Sequence, residues 1–101
     1  MKLISVMPDT GGVHKFVATF ENEGRQKHVR FGLKGYQHFT DGNGYVGHRD
    51  EERRQRYLSR HRAREDWNRP DSPGALSYWL LWKEPTWTQA LQAYKRRFQL
   101  G

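Results

Sequence analysis

Apolar and polar positions alternate along the first third of the chain, and the period then changes. Lys2 to Met7 read as a short strand, closed by the turn signal Pro8-Asp9-Thr10-Gly11-Gly12. From His14 to Glu21, Phe16, Ala18 and Phe20 fall on one side and Val17 and Thr19 on the other, the alternation of a half-buried strand. Asn22-Glu23-Gly24-Arg25 predicts a hairpin loop, and Gln26 to Gly32 returns with Val29 and Phe31 on one face. These runs predict a three-stranded antiparallel meander, a sheet too small to stand unless something packs on its apolar face.

Gly32 to Gly47 is a glycine-rich connection that carries Tyr36, Phe39 and Tyr45, with Asp41-Gly42-Asn43-Gly44 as its tightest turn signal. So many rings argue for a loop docked on the body. Left exposed instead, the same rings would stack bases or anchor a protein partner. A helix is predicted from about His48 to Asp66, with Asp50, Glu51 and Glu52 in its first turn, where they complement the helix dipole, and Pro70 beyond its end. Ser72-Pro73 gives an N-cap followed by proline at the first helical position. The helix that follows, Gly74 to Trp82, is apolar almost all round, which marks it as the most buried element, with Trp79 and Trp82 in the core. Thr86 and Gln89 make a capping box for the last helix, whose apolar stripe is Trp87, Ala90, Leu91, Tyr94 and Phe98. Strands first and helices after predict one α+β domain over residues 1–101, with three helices packed on one side of the meander.

Composition sharpens this picture. Only 35% of residues are apolar while 14% are aromatic, so the core is expected to be built from rings more than from Val, Ile and Leu. The formal net charge of +7 and a pI of about 10.1 give the electrostatic footprint of a nucleic-acid binder. Acidic protein surfaces and anionic lipids compete for the same charge. There is no cysteine, which removes disulfides, thiolate zinc sites and cysteine nucleophiles. Leu3 to Met7 is too short for a signal-peptide core and nothing approaches a membrane span, so a soluble, non-secreted chain is expected.

The charge is concentrated in the first predicted helix. At 100° per residue, Arg49, Arg53, Arg56, Arg60 and Arg64 fall within an arc roughly 80° wide. Tyr57, Leu58 and His61 occupy an adjoining arc that must be the packed side. Arg54 falls with them and is expected to be a paired structural arginine outside the ridge. The ridge has two readings. In one it tracks the phosphates of a nucleic acid, DNA or RNA, joined by Lys95, Arg96 and Arg97 at the end of the last helix. In the other it is a solvated face with Asp50, Glu51, Glu52 and Glu65 as exposed partners, although those acids cluster at the helix ends and leave Arg53 to Arg64 uncompensated.

Several motifs fail on inspection. Asp41, Asn43 and Glu52 match three calcium-loop positions, but Val46 stands where that loop requires glycine. His48-Arg49-Asp50 mimics a kinase triplet without the rest of a kinase. His14, His28, His38, His48 and His61 lack close ligand spacing, so no metal and no cofactor is expected. No nucleophile lies near a base in sequence, and the expectation is a protein that is not an enzyme and has no small-molecule substrate.

Phe31-Gly32-x-Lys34-Gly35-Tyr36, Asp50-x-Glu52-Arg53-Arg54-x-Arg56-Tyr57, Arg60-His61-x-x-Arg64-Glu65-x-Trp67, Pro73-Gly74-Ala75-Leu76-Ser77 and Tyr94-Lys95-x-Arg97-Phe98 together resemble a family of small basic proteins encoded by large DNA viruses of algae and amoebae and by some algal genomes. The family has no assigned activity, so the resemblance carries over no catalytic residue. It implies a virion, host-nuclear or host-cytoplasmic setting, near a packaged genome or within the protein shell. The sequence therefore supports two functions: a non-enzymatic protein that binds nucleic-acid backbone, or a structural module, such as a minor capsid or complex subunit, whose arginines pair with acidic protein surfaces.

Overall fold

A computed structural model describes residues 1–100. Three antiparallel strands, β1 (Lys2–Pro8), β2 (His14–Asn22) and β3 (Arg25–Leu33), pair in the order β1-β2-β3. The β2–β3 hairpin turns on Glu23 and Gly24, at φ 52° and 80°. Positive φ at both central residues is what a type I′ turn needs, and its twist matches the flanking strands. The resulting register sets Phe16 opposite Phe31 and Ala18 opposite Val29. Phe16, Ala18, Phe20, Val29 and Phe31 all become buried on one face, as the alternation predicts. In β1 a bulge between Leu3 and Ser5 shifts the register by one residue, so Leu3 and Val6, which strict alternation would separate, both turn to the core.

The core face is covered from the C-terminal half. Helix α2 (Pro73–Ser77) is capped by the Ser72 side chain, which accepts from the Ala75 amide, and runs on as a π-helical turn over Tyr78–Trp82. Helix α3 (Trp87–Phe98) starts at Thr86, whose hydroxyl oxygen accepts from the Gln89 amide at 3.3 Å. Leu76, Leu80, Leu81, Ala90 and Tyr94 from these elements join Phe16, Phe20 and Phe31 in one core cluster, with Trp79, Trp82 and Trp87 packed against it. Tyr94 is fully buried, and its hydroxyl donates to the Pro70 carbonyl at 2.5 Å. The chain leaves α3 through Gln99 at φ 53°, buries Leu100, and returns the Leu100 carbonyl to the Leu3 amide at 3.2 Å, along the free side of β1.

Helix α1 spans Glu51–His61, shorter at both ends than the predicted 48–66. Asp50 is its N-cap and accepts from the amides of Glu52 and Arg53, so this carboxylate precedes the first turn. At the other end the predicted continuation loses to tertiary contacts. Glu65 folds back to accept from His61 Nδ1 at 3.1 Å and from Trp67 Nε1 at 3.0 Å, and the Trp67 ring stacks on Tyr78 at 4.1 Å. Gly74 makes room for this fold-back, since a β-carbon there would lie 3.0 Å from the Glu65 carboxyl carbon.

Tyr57 and Leu58 are the buried residues of α1. Tyr57 lies flat between Trp82 and His61, both at 4.2 Å. Arg54 closes the same joint, as its position in the helical wheel predicts. Its Nε donates to the Trp82 carbonyl at 2.9 Å and its Nη2 to the Lys83 carbonyl at 3.2 Å, at the C-terminal end of the π-helical turn, where positive charge is favoured. The connection between β3 and α1 is docked at Phe39 and Thr40: Thr40 donates its amide to the Leu81 carbonyl at 2.9 Å and its hydroxyl to the Glu84 carbonyl at 2.6 Å.

Candidate functional site

Because α1 reaches the body through Trp82, a groove of about 1000 Å³ opens between it and the end of β3. Arg30, Leu33, Tyr36 and Gln37 line it from β3 and the segment that follows, Arg53, Arg56 and Arg60 from α1 with Arg64 from the turn after it, and Pro73, Ser77, Leu81 and Trp82 complete the lining. Four of the five arginines of the predicted ridge, all but Arg49, thus line a cleft instead of a free convex face. Arg53 donates to the neutral Gln37 Oε1 at 3.0 Å, across the groove. Among the described residues no carboxylate forms an ion pair with Arg53, Arg56, Arg60 or Arg64. Glu65 also lines the groove, but its oxygens are engaged by His61 and Trp67.

The remaining candidate residues lie elsewhere. Arg49 precedes α1 at φ 52° and pairs with Asp41 at 3.3 Å. Lys95, Arg96 and Arg97 sit in the last turn of α3 and do not line the groove, and Arg97 donates to Asn68 Oδ1 at 3.1 Å. Arg30, which sequence reasoning passed over, does line it, with its Nε on Asp9 at 3.1 Å. Its alternation to the outer face of β3 was readable, but nothing local to it signals that α1 comes alongside.

The second addition is a buried lysine. Lys15 is only 4% exposed although it follows His14 on a strand whose inward positions are Phe16, Ala18 and Phe20. The ladder pairing is interrupted where Lys15 would meet Gly32, which adopts φ 72° and where a β-carbon would lie 3.0 Å from Leu81 and 3.4 Å from the Lys15 stem. The Lys15 ammonium donates to the Tyr36 carbonyl and to His38 Nδ1, the latter at 2.7 Å, and lies 5.0 Å from the centre of the Tyr45 ring. Burial without a carboxylate partner holds the Lys15 pKa below its ordinary value. Burial first, and then the Lys15 and His48 charges, lower His38 to about 4, so its neutral ring accepts through Nδ1. Burial, with Arg53 next in weight, also lowers His48.

The Lys15 bond fixes the backbone beneath an exposed ring. Leu33 to Tyr36 form a turn in which the Tyr36 amide reaches the Leu33 carbonyl at 3.4 Å and Gly35, at φ 87°, takes the position that requires glycine. Lys34 pins the turn to the β1–β2 connection, donating its amide to the Val13 carbonyl at 2.8 Å and its Nζ to the Gly12 carbonyl at 2.6 Å. Phe39 is buried and Tyr45 packs on Phe16 at 5.2 Å, so of the three loop rings those two tie the loop down. Tyr36 remains 71% exposed.

Among the described residues no three His, Asp or Glu side chains gather where a metal ion could be held, and no helix is long and apolar enough to cross a membrane. The chain belongs to DUF5754, a family of unknown function, which it matches over residues 4–61. That span runs from β1 to the end of α1 and so holds Arg30, Arg53, Arg56 and Arg60 of the groove lining, while Arg64, Pro73, Ser77, Leu81 and Trp82 lie outside it. No curated protein and no solved structure matches the chain.

Proposed function

We propose that this protein is a non-enzymatic nucleic-acid-binding protein that holds phosphate backbone in the groove between β3 and α1. One observation carries the reading: Arg53, Arg56, Arg60 and Arg64 converge on one cleft with no carboxylate paired to them. Arginines at helical spacing repel one another by a few tenths of a kcal/mol per pair, and an anionic ligand relieves that repulsion. Their planar guanidinium groups suit phosphate oxygens. The net charge of +7 supplies long-range attraction to a polyanion. Lys95, Arg96 and Arg97 add to that field from outside the groove. The resemblance to proteins of large DNA viruses supports a genome- or virion-associated setting.

A salt titration tests the proposal. Binding to random-sequence nucleic acid is expected to weaken with a log–log slope of about −0.7 to −0.9 per neutralised phosphate, near −4 for four or five contacts. Changing Arg56, Arg60 and Arg64 together to Ala is expected to reduce the magnitude of the slope by about 2 to 3, as each lost contact returns its share of counterions. The same change at Lys95, Arg96 and Arg97 is expected to shift it much less. No retention at low salt would overturn the proposal and leave the arginines to pair with an acidic protein surface.

A further inference from the structure

The arrangement of the groove says which form of nucleic acid fits it. A helix that reads duplex DNA presents a projecting face to the major groove. Here the arginine side of α1 is turned toward its own β3 wall, near enough for Arg53 to reach Gln37 at 3.0 Å. A duplex also keeps its base faces stacked inside, so an aromatic ring beside its backbone finds no π-face. The wall opposite the arginines nonetheless carries Leu33, 48% exposed, and Tyr36, 71% exposed. Tyr36 is no loose loop tip, since Lys15 holds its carbonyl from below and Lys34 anchors the turn to Gly12 and Val13. A solvent-facing ring on an anchored stretch of backbone, opposite a row of arginines, is the combination that sequence-tolerant single-strand binding uses.

Building on the proposed function, we infer that the groove binds single-stranded nucleic acid, with an unpaired base stacked on Tyr36 and the flanking phosphates held by Arg53, Arg56 and Arg60. Single-stranded DNA and RNA share this chemistry, and both are used as probes.

The test is fluorescence anisotropy with a labelled mixed-sequence twelve-nucleotide DNA strand, the matching RNA strand and the matching DNA duplex, under the same low-salt buffer. At least one strand is expected to bind about ten-fold or more tightly than the duplex. Tyr36→Ala is expected to weaken strand binding about ten-fold, within the range of a lost base–aromatic stack, with the salt slope unchanged. Tyr36→Phe is expected to bind as the wild type does, which separates stacking from any use of the hydroxyl. Duplex binding as tight as strand binding would overturn the inference while leaving the proposed function standing, as would a Tyr36→Ala protein that holds strands as well as wild type. Failure to retain strand and duplex alike would overturn both.

Discussion

The buried Lys15–His38 pair makes a prediction that is read in stability. His38 is 4% exposed, and its pKa falls from 6.5 to about 4 because burial and the neighbouring Lys15 and His48 charges disfavour the imidazolium. In the unfolded chain that penalty disappears. Protonation therefore favours unfolding: the stability associated with neutral His38 is fully present above pH 6.5, is lost as pH falls, and changes no further below about 4. A gap of roughly 2.5 pH units at about 1.4 kcal/mol per unit amounts to ~3 kcal/mol, with ~2 kcal/mol of it already lost by pH 5. That is a large share of the 5–15 kcal/mol typical of a domain. Equilibrium urea unfolding at a series of pH values, followed by tryptophan fluorescence, measures it. His38→Asn keeps an acceptor close to the position of Nδ1 and removes the titration, so its stability should be nearly flat from pH 7 to 5. His48 contributes in the same direction and leaves a residual slope. The depressed carboxylate of Asp71 acts at lower pH, where the unfolded carboxyl begins to protonate. A wild-type profile with no fall between pH 6.5 and 4.5, or a His38→Asn profile that tracks the wild type, would refute the reasoning.

Three further changes probe the frame around the groove. Arg54→Ala removes the donors to the Trp82 and Lys83 carbonyls and should cost about 2 kcal/mol in chemical unfolding, with the salt slope of binding unchanged because Arg54 does not line the groove. Tyr94→Phe leaves the half-buried Pro70 carbonyl without its donor and should cost about 1 kcal/mol, seen as a shifted urea midpoint at constant m-value. Gly42→Ala forces an L side chain to φ 127° with its β-carbon 2.7 Å from that of Trp87, and should lower the melting temperature by several degrees through a loss of about 2 kcal/mol.

Much of this fold is legible because its signals are local. The turn at Glu23 and Gly24, the inward set Phe16, Ala18, Phe20, Val29 and Phe31, and the Ser72-Pro73 start of α2 each need only neighbours in sequence, and each stands where the pattern puts it. Arg54 is legible for a related reason: a helical wheel that sets one arginine among Tyr57, Leu58 and His61 also requires it to find acceptors, and the Trp82 and Lys83 carbonyls supply them. The capping pair at α3 is legible in half. Thr86 accepts the Gln89 amide, but the Gln89 side chain accepts the Thr86 hydroxyl proton at 2.9 Å instead of reaching back to the backbone.

What was not legible is set by distance along the chain. Residues 62–66 carry good helix formers, yet Glu65 gains His61 and Trp67 as partners, and the stack of the Trp67 ring on Tyr78, eleven positions downstream of it, outweighs propensity worth a few tenths of a kcal/mol per residue. Lys15 reads as an outward strand residue until Gly32, on the neighbouring strand, breaks the ladder and lets the ammonium turn inward to Tyr36 and His38. The site depends on the same kind of non-local event. Helical spacing alone aligns Arg53, Arg56 and Arg60, but it leaves open whether they meet solvent, a partner or the protein's own surface. The stack of Tyr57 on Trp82 docks α1 on the body, and there Arg53, Arg56 and Arg60 line a groove together with Arg30, Leu33 and Tyr36. On the proposed function, affinity and selectivity would come from different halves of the site: the arginines would act on any polyanion, while the Tyr36 ring, its backbone anchored by Lys15, would act only on a base that has left its stack.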